Sequence, residues 1–199
     1  MLNQFIRNTS QRWSVFAALR RPLGNSASAE LAAHLLIAPN ALIKLSLQDA
    51  RIVVRYMKPR RIAQGTVFIR EGDANDTDYM LLLIEGEVTV ENLTVARDMP
   101  QTVTVLGPGS LMGEISLIDG LARLASCTAF TPLHCAVLSR GALEALSEDH
   151  PRTTTKLMFA VSLRVAERLR DTTDKLKMYS QLLSATQQEL HHVMRIGHQ

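Results

Sequence analysis

From Ile62 to Leu138 the chain runs in short apolar and β-branched stretches cut by Gly65, Gly72, Gly86, Gly107, Gly109, Gly113 and Gly120. That texture predicts antiparallel strands joined by tight turns. The clearest strands are Thr66–Arg70, Met80–Ile84, Val88–Leu93, Thr102–Leu106, Ala125–Ala129 and His134–Leu138, each near the usual strand length. They imply an all-β roll or barrel. On both sides the period changes. After Pro22, Gly24 and Ser26, residues Ala27 to Met57 read as helices, with Ile43, Leu45, Leu47, Ile52, Val53 and Tyr56 available for an apolar face. Downstream, Arg140 to Leu146 reads as a second helical start, and Pro151 opens a stretch free of Gly and Pro until Gly197.

That last stretch predicts one long helix. Proline suits its first turn, and about 45 residues at about 1.5 Å each extend for roughly 67 Å, far past the domain before it. Such a helix needs a partner. Leu169, Thr172, Leu176, Tyr179, Leu183, Thr186, Leu190 and Val193 advance by alternating steps of three and four, a coiled-coil seam. The first turns can pack on the chain's own domain; for the rest the simplest partner is the same helix of a second copy. The expected fold class is α+β: an antiparallel, jelly-roll-like β-roll flanked by N-terminal helices and a long C-terminal dimerisation helix. Residues 1–40 form a helical or flexible extension, 41–150 the roll with flanking helices, and 151–195 the coiled-coil helix that makes a homodimer.

Composition narrows this picture. A chain of 199 residues, 46% hydrophobic, suits one core plus an appendage. The 22 Lys and Arg against 19 Asp and Glu leave +3, spread along the chain, so a nucleic-acid footprint is weak and no direct DNA binding is expected. Cys127 and Cys135 are too few for a four-cysteine metal site or a disulfide scaffold, which fits a reducing cytoplasm. The longest apolar run, Leu31 to Pro39, is interrupted by His34, so no membrane span is expected. Residues 1–29 carry Arg7, Arg12, Arg20 and Arg21 and no acid, with Leu2, Ile6, Trp13 and Phe16 loosely at helical spacing. A short packed helix or a tail is the plain reading there; an anionic membrane surface or a transit peptide is the alternative.

The most informative segment is Gly107-Pro-Gly-Ser-Leu-Met-Gly-Glu-Ile-Ser-Leu117, followed by Ile118, Asp119, Gly120 and Leu121-Ala-Arg-Leu-Ala-Ser126. It resembles the phosphate-binding cassette of cyclic-nucleotide-binding domains, the family of bacterial catabolite activators and of the regulatory subunits of cyclic-AMP-dependent kinases. The resemblance runs from about Leu47 to Leu176 and includes Gly65-Thr-Val-Phe-Ile-Arg-Glu-Gly-Asp73 and Glu85-Gly-Glu-Val88. It implies a cyclic AMP or cyclic GMP ligand, held by Gly113, Glu114, Ile115, Ser116, Arg123, Leu124 and Ala125, and no other cofactor or metal. A cyclic phosphate is well served by N–H groups at the start of a short helix, here Glu114 to Leu117, and by an arginine fork. Gly113 permits close approach of the backbone, and Arg123 can swing back onto the phosphate. Glu114, by family match, accepts the ribose 2′-hydroxyl. Taken apart from the cassette, Glu114 and Arg123 read better as an internal salt bridge across a loop; within the cassette the ligand reading prevails.

One position departs from the family. After the arginine, members that bind cyclic nucleotides well usually carry Ser or Thr; here it is Leu124. The lost hydrogen bond to a charged group is worth roughly 1.5–3 kcal/mol, about 10-fold to 100-fold in affinity. Ser126, two residues on, points to the same face of a strand and offers a partial replacement. The turn between Asp73 and Leu81 is about two residues longer than usual for the family, which affects a loop and not the cassette. On the long helix, Arg168-Leu-Arg-Asp-Thr-Thr-Asp-Lys-Leu176 resembles the segment whose hydroxyls reach the adenine base in catabolite activators, which falls on Thr172 and Thr173. Thr172 serves equally as a polar notch in the seam.

Beyond Val193 and Met194 only Arg195 to Gln199 follow, too few for a helix-turn-helix, and the cassette occurs once. His191, His192 and His198 read as a helix end rather than a metal cluster. No Walker loop, Ser-His-Asp pattern or spaced carboxylate pair points to an enzyme. Three readings stay open: a cyclic-nucleotide sensor that signals through helix rearrangement to an unidentified effector protein, a ligand-free scaffold that keeps the fold, and a transcription regulator acting through a DNA-binding partner. The last would show steeply salt-dependent DNA binding.

Overall fold

A computed structural model describes residues 27–38, 45–91 and 104–196, with side chains to residue 188. The readings made for residues 1–26, for Leu93 and Thr102 as strand ends, and for the side chains of Leu190, His191, His192, Val193 and His198 lie outside these residues. Two compact units are distinguished, Met1–Val161 and Ser162–Gln199.

The helical prelude is two helices, α1 (Ala27–Leu36) and α2 (Leu47–Tyr56). Ser46 caps α2, its hydroxyl accepting the Asp49 N–H at 3.2 Å. Ala32, Ala33 and Leu36 are fully buried on α1, and the small volumes of the two alanines let it pack closely on α2. The residue before Pro59 disfavours the helical region, so α2 gives way at once to β1 (Lys58–Ile62). This strand lies outside the expected set, because Lys-Pro-Arg-Arg-Ile has no strand signature. It sits at a sheet edge, where proline and charge are tolerated and discourage further pairing.

The roll continues through β2 (Val67–Ile69), β3 (Tyr79–Glu85), β4 (Val88–Glu91), β5 (Thr104–Leu106), β6 (Leu111–Met112), β7 (Ser126–Ala129) and β8 (Leu133–Ser139). It forms two four-stranded sheets, β1-β8-β3-β6 and β2-β7-β4-β5, with every recorded pairing antiparallel. Their inner faces share one core: Tyr79, Leu81 and Leu83 of β3 meet Ile62, Phe68, Val88, Met112, Cys127 and Cys135. The alternate β3 residues Met80, Leu82 and Ile84 are also buried, because α1 and a short helix α3 (Glu114–Asp119) pack on that strand. Burial on both faces is why β3 reads as an unbroken apolar run. Burial pushes the Cys135 thiol up to about 12, and neither cysteine is disulfide-bonded.

After β8 come α4 (Arg140–Asp149), capped by Ser139, and α5 (Pro151–Ile196), a single helix of 46 residues. In the first unit Leu157, Ala160 and Val161 of α5 are buried; in the second, Leu169, Leu176, Tyr179 and Leu183 are exposed. Among the described residues no helix is long and apolar enough to cross a membrane.

Candidate functional site

The cassette is built by two left-handed glycines. Gly113 follows β6 with φ 78° and ψ 9°, a conformation that an L side chain rarely adopts, and turns the chain into α3. Gly120, at φ 71°, closes α3 by donating to the Ser116 carbonyl at 2.9 Å. The one-turn helix expected over Glu114–Leu117 therefore runs to Asp119, whose carboxylate accepts the Leu121 N–H at 2.9 Å.

Arg123 is folded into the roll, with only 3% of its surface exposed. Its backbone pairs with the turn after β2: Gly72 donates to the Arg123 carbonyl at 2.8 Å and Arg123 donates to the Asp73 carbonyl at 3.1 Å. Its guanidinium donates from Nε to Asp76 O (2.9 Å), from Nη1 to Gly113 O (2.9 Å) and from Nη2 to Tyr79 O (3.0 Å). The Tyr79 ring lies beneath it, 4.6 Å from centroid to Cζ. Gly113 has a second reason to be glycine, since a Cβ there would collide with Nη1 and lie 3.1 Å from the Tyr79 carbonyl. Among the described residues, no carboxylate forms an ion pair with Arg123.

Glu114 is 1% exposed and lines an apolar cavity with Met80, Leu117, Leu138, Leu157 and Val161. Ser116 is buried and Ile115 half-buried on the same helix. Leu124 is 65% exposed beside the buried arginine, and Ala125 is half-buried. The Ser126 hydroxyl accepts the Glu71 N–H at 3.1 Å. Gly113 and Arg123 are thus brought into direct contact. Thr172 and Thr173 belong to the second unit, where their exposed hydroxyls donate back to the carbonyls of Arg168 and Leu169 at 2.8 Å each.

Sequence reasoning missed Tyr79 and Asp76. The Tyr79 hydroxyl donates to Phe68 O (3.2 Å) and also lies 3.3 Å from the Asp76 carboxylate. Burial, and secondarily the Asp76 charge, raise its phenol above the ordinary value. Asp76 belongs to the unusually long turn, which was expected to affect a loop and not the cassette; instead its carbonyl holds Arg123 Nε, so the turn is part of the site. No group of His, Cys, Asp and Glu among the described residues could hold a metal.

Residues 59–150 match the family described as Cyclic nucleotide-binding domain. A cyclic nucleotide-gated potassium channel of Rhizobium etli is 32% identical over 99 residues, 50% of this chain and 25% of the channel. A CRP-like cAMP-activated global transcriptional regulator of Mycobacterium tuberculosis is 26% identical over 140 residues, 70% of this chain and 56% of the regulator. The chain therefore spans between a quarter and a little over half of these curated relatives. The crystal structure of a cyclic nucleotide-binding domain from Methylobacillus flagellatus superposes with a TM-score of 0.62 and 29% identity, covering 74% of this chain and 81% of that one. Residues 59–150 thus carry the sequence signature of the cyclic nucleotide-binding domain family, and the roll they build has the fold of a solved member.

Proposed function

We propose that this protein is a cyclic-nucleotide sensor in which the phosphate of cyclic AMP or cyclic GMP binds Arg123 and the ribose binds Glu114. One observation carries the reading: Arg123 is a buried cation whose partners are backbone carbonyls. Dipoles alone offset the desolvation of a guanidinium poorly, and an anion offsets it well. Three of the five guanidinium N–H groups are engaged, which leaves two for a phosphate.

Glu114 supports a route for the signal. It lines a cavity walled by Leu157 and Val161 of α5, so a sugar hydroxyl drawing on its carboxylate shifts α3 against the first turns of that helix. The exposed stripe of Leu169, Leu176, Tyr179 and Leu183 suits a second copy of α5, and a changed angle between paired helices would reach an effector protein. Thr172 and Thr173, once released from their own helix, are placed on that stripe and beside it. A cytoplasmic location follows from the same reading.

A second reading, a scaffold that binds no nucleotide, is favoured by Leu124 and by the carbonyls that already satisfy part of Arg123. Titration calorimetry with both nucleotides separates the two. A sensor binds at micromolar concentration, loses at least about tenfold in Arg123→Lys, which cannot present a planar fork, and tightens in Leu124→Ser. No heat at millimolar nucleotide in either wild type or Leu124→Ser leaves the scaffold.

A further inference from the structure

We propose that Tyr79 is the positioning residue of the anion site, and that its ring, not its hydroxyl, sets Arg123 for the phosphate. This rests on the assignment of Arg123 as the phosphate ligand. Tyr79 begins β3, is 2% exposed, and meets the arginine twice: its carbonyl accepts from Nη2 and its ring lies under Cζ. Its hydroxyl serves a different purpose, bonding to Phe68 O and the Asp76 carboxylate and so bracing the turn whose Asp76 carbonyl receives Nε. The ring also carries a second guanidinium, that of Arg60 on β1, at 5.5 Å.

An arginine side chain has several rotatable bonds, and the freedom it loses on binding weakens affinity. A ring fixed in the core removes that freedom beforehand. It also keeps water from one face of the guanidinium, where cation–π attraction is strongest. The Tyr79 carbonyl survives any substitution, so side-chain variants isolate the ring. Tyr79→Phe keeps the ring and drops the hydroxyl. Tyr79→Leu drops both, and Tyr79→Met, an unbranched filler of similar reach, serves if the leucine variant does not fold.

Two measurements on the full chain decide the matter. In ¹⁵N NMR spectra the Arg123 Nε–H proton, identified by its disappearance in Arg123→Lys, is deshielded by its bond to Asp76 O and shielded by the ring, so it is expected at a similar position in wild type and in Tyr79→Phe. It should move downfield in Tyr79→Leu, where the ring is gone. By calorimetry, cyclic AMP binding should stay within about twofold in Tyr79→Phe and weaken about tenfold in Tyr79→Leu. An Arg123 signal unmoved in Tyr79→Leu overturns the proposal, as does wild-type affinity in that variant. If wild type binds no cyclic nucleotide, the nucleotide reading falls, and the Arg123 signal alone still decides for or against Tyr79.

Discussion

Asp49 and Lys156, 107 residues apart in the chain, are joined by a hydrogen bond of 2.7 Å between carboxylate and ammonium. The other Asp49 oxygen accepts the Thr153 hydroxyl at 3.1 Å, and Ser46 donates to the carboxylate as well. The helix before the roll is thereby tied to the first turns of the helix after it. Burial alone would raise the Asp49 carboxyl, but the hydrogen bonds from Lys156, Ser46 and Thr153 outweigh it and hold the group below its ordinary value. A carboxyl lowered on folding contributes stability that is complete above its unfolded value and is lost as pH falls through the folded one. Asp49→Asn should therefore cost about 1–2 kcal/mol at neutral pH, and the gap to wild type should shrink below about pH 4. Urea unfolding of both proteins across that range checks it, and a gap that widens in acid would contradict the assignment.

Arg123→Ala should destabilise the fold even without ligand. The substitution orphans the carbonyls of Asp76, Gly113 and Tyr79, and roughly 1–3 kcal/mol attaches to each buried group that water cannot reach. Allowing for partial hydration of the carbonyls and for the guanidinium desolvation that is no longer incurred, a net loss of about 1–3 kcal/mol is expected in the unfolding free energy, read as a lower denaturant midpoint. A midpoint unchanged from wild type would mean that these bonds contribute nothing to the resting fold.

Gly113→Ala is expected to act on the same contact from the opposite side. The left-handed backbone alone costs about 1–2 kcal/mol for alanine, and the added Cβ must push the Arg123 guanidinium away from the Gly113 carbonyl. Gly65→Ala is the control: it also has positive φ, 77°, but its Cβ would meet nothing. Both variants should lose stability in thermal unfolding, and only Gly113→Ala should also lose nucleotide affinity.

Much of this architecture was legible before any coordinates. The apolar run of β3, the β-branched stretches and the glycines that prove to have positive φ are local signals, and the proline-free stretch announced α5. β1 was hidden because an edge strand needs no apolar alternation: Lys58, Pro59, Arg60 and Arg61 pair only with β8. The cassette was legible as a spacing of residue types, yet the burial of Arg123 was not. Its partners are backbone carbonyls from three separate segments, and carbonyls carry no mark in a sequence. Tyr79 was invisible for a related reason, since an aromatic residue at the head of an apolar strand reads as core and is core.

Leu124→Ser should be nearly silent in stability and visible in binding. The leucine side chain is 65% exposed, so removing it forfeits little burial. A hydroxyl there can donate to a phosphate on Arg123, and a hydrogen bond to a charged partner supports a gain of about 10-fold or more in affinity. Equal affinity in calorimetry would mean that residue 124 faces away from the ligand and that its identity is immaterial.

The exposed stripe on α5 yields the last prediction. Leu169, Leu176 and Leu183 recur every seven residues with Tyr179 between, and all are exposed in the single chain. Leu182 is equally exposed but stands outside that repeat. Each leucine withdrawn from water contributes about 1.5–3 kcal/mol, so Leu176 and Leu183 from two copies account for roughly 6–12 kcal/mol of association. Wild type should sediment as a dimer at micromolar concentration. Leu176→Glu with Leu183→Glu should sediment as a monomer with an intact roll, because neither side chain contributes to the core, while Leu182→Glu should remain dimeric. Dissociation by Leu182→Glu alone would shift the seam to another face of the helix, and a monomeric wild type would remove the paired helices through which the sensor is proposed to signal.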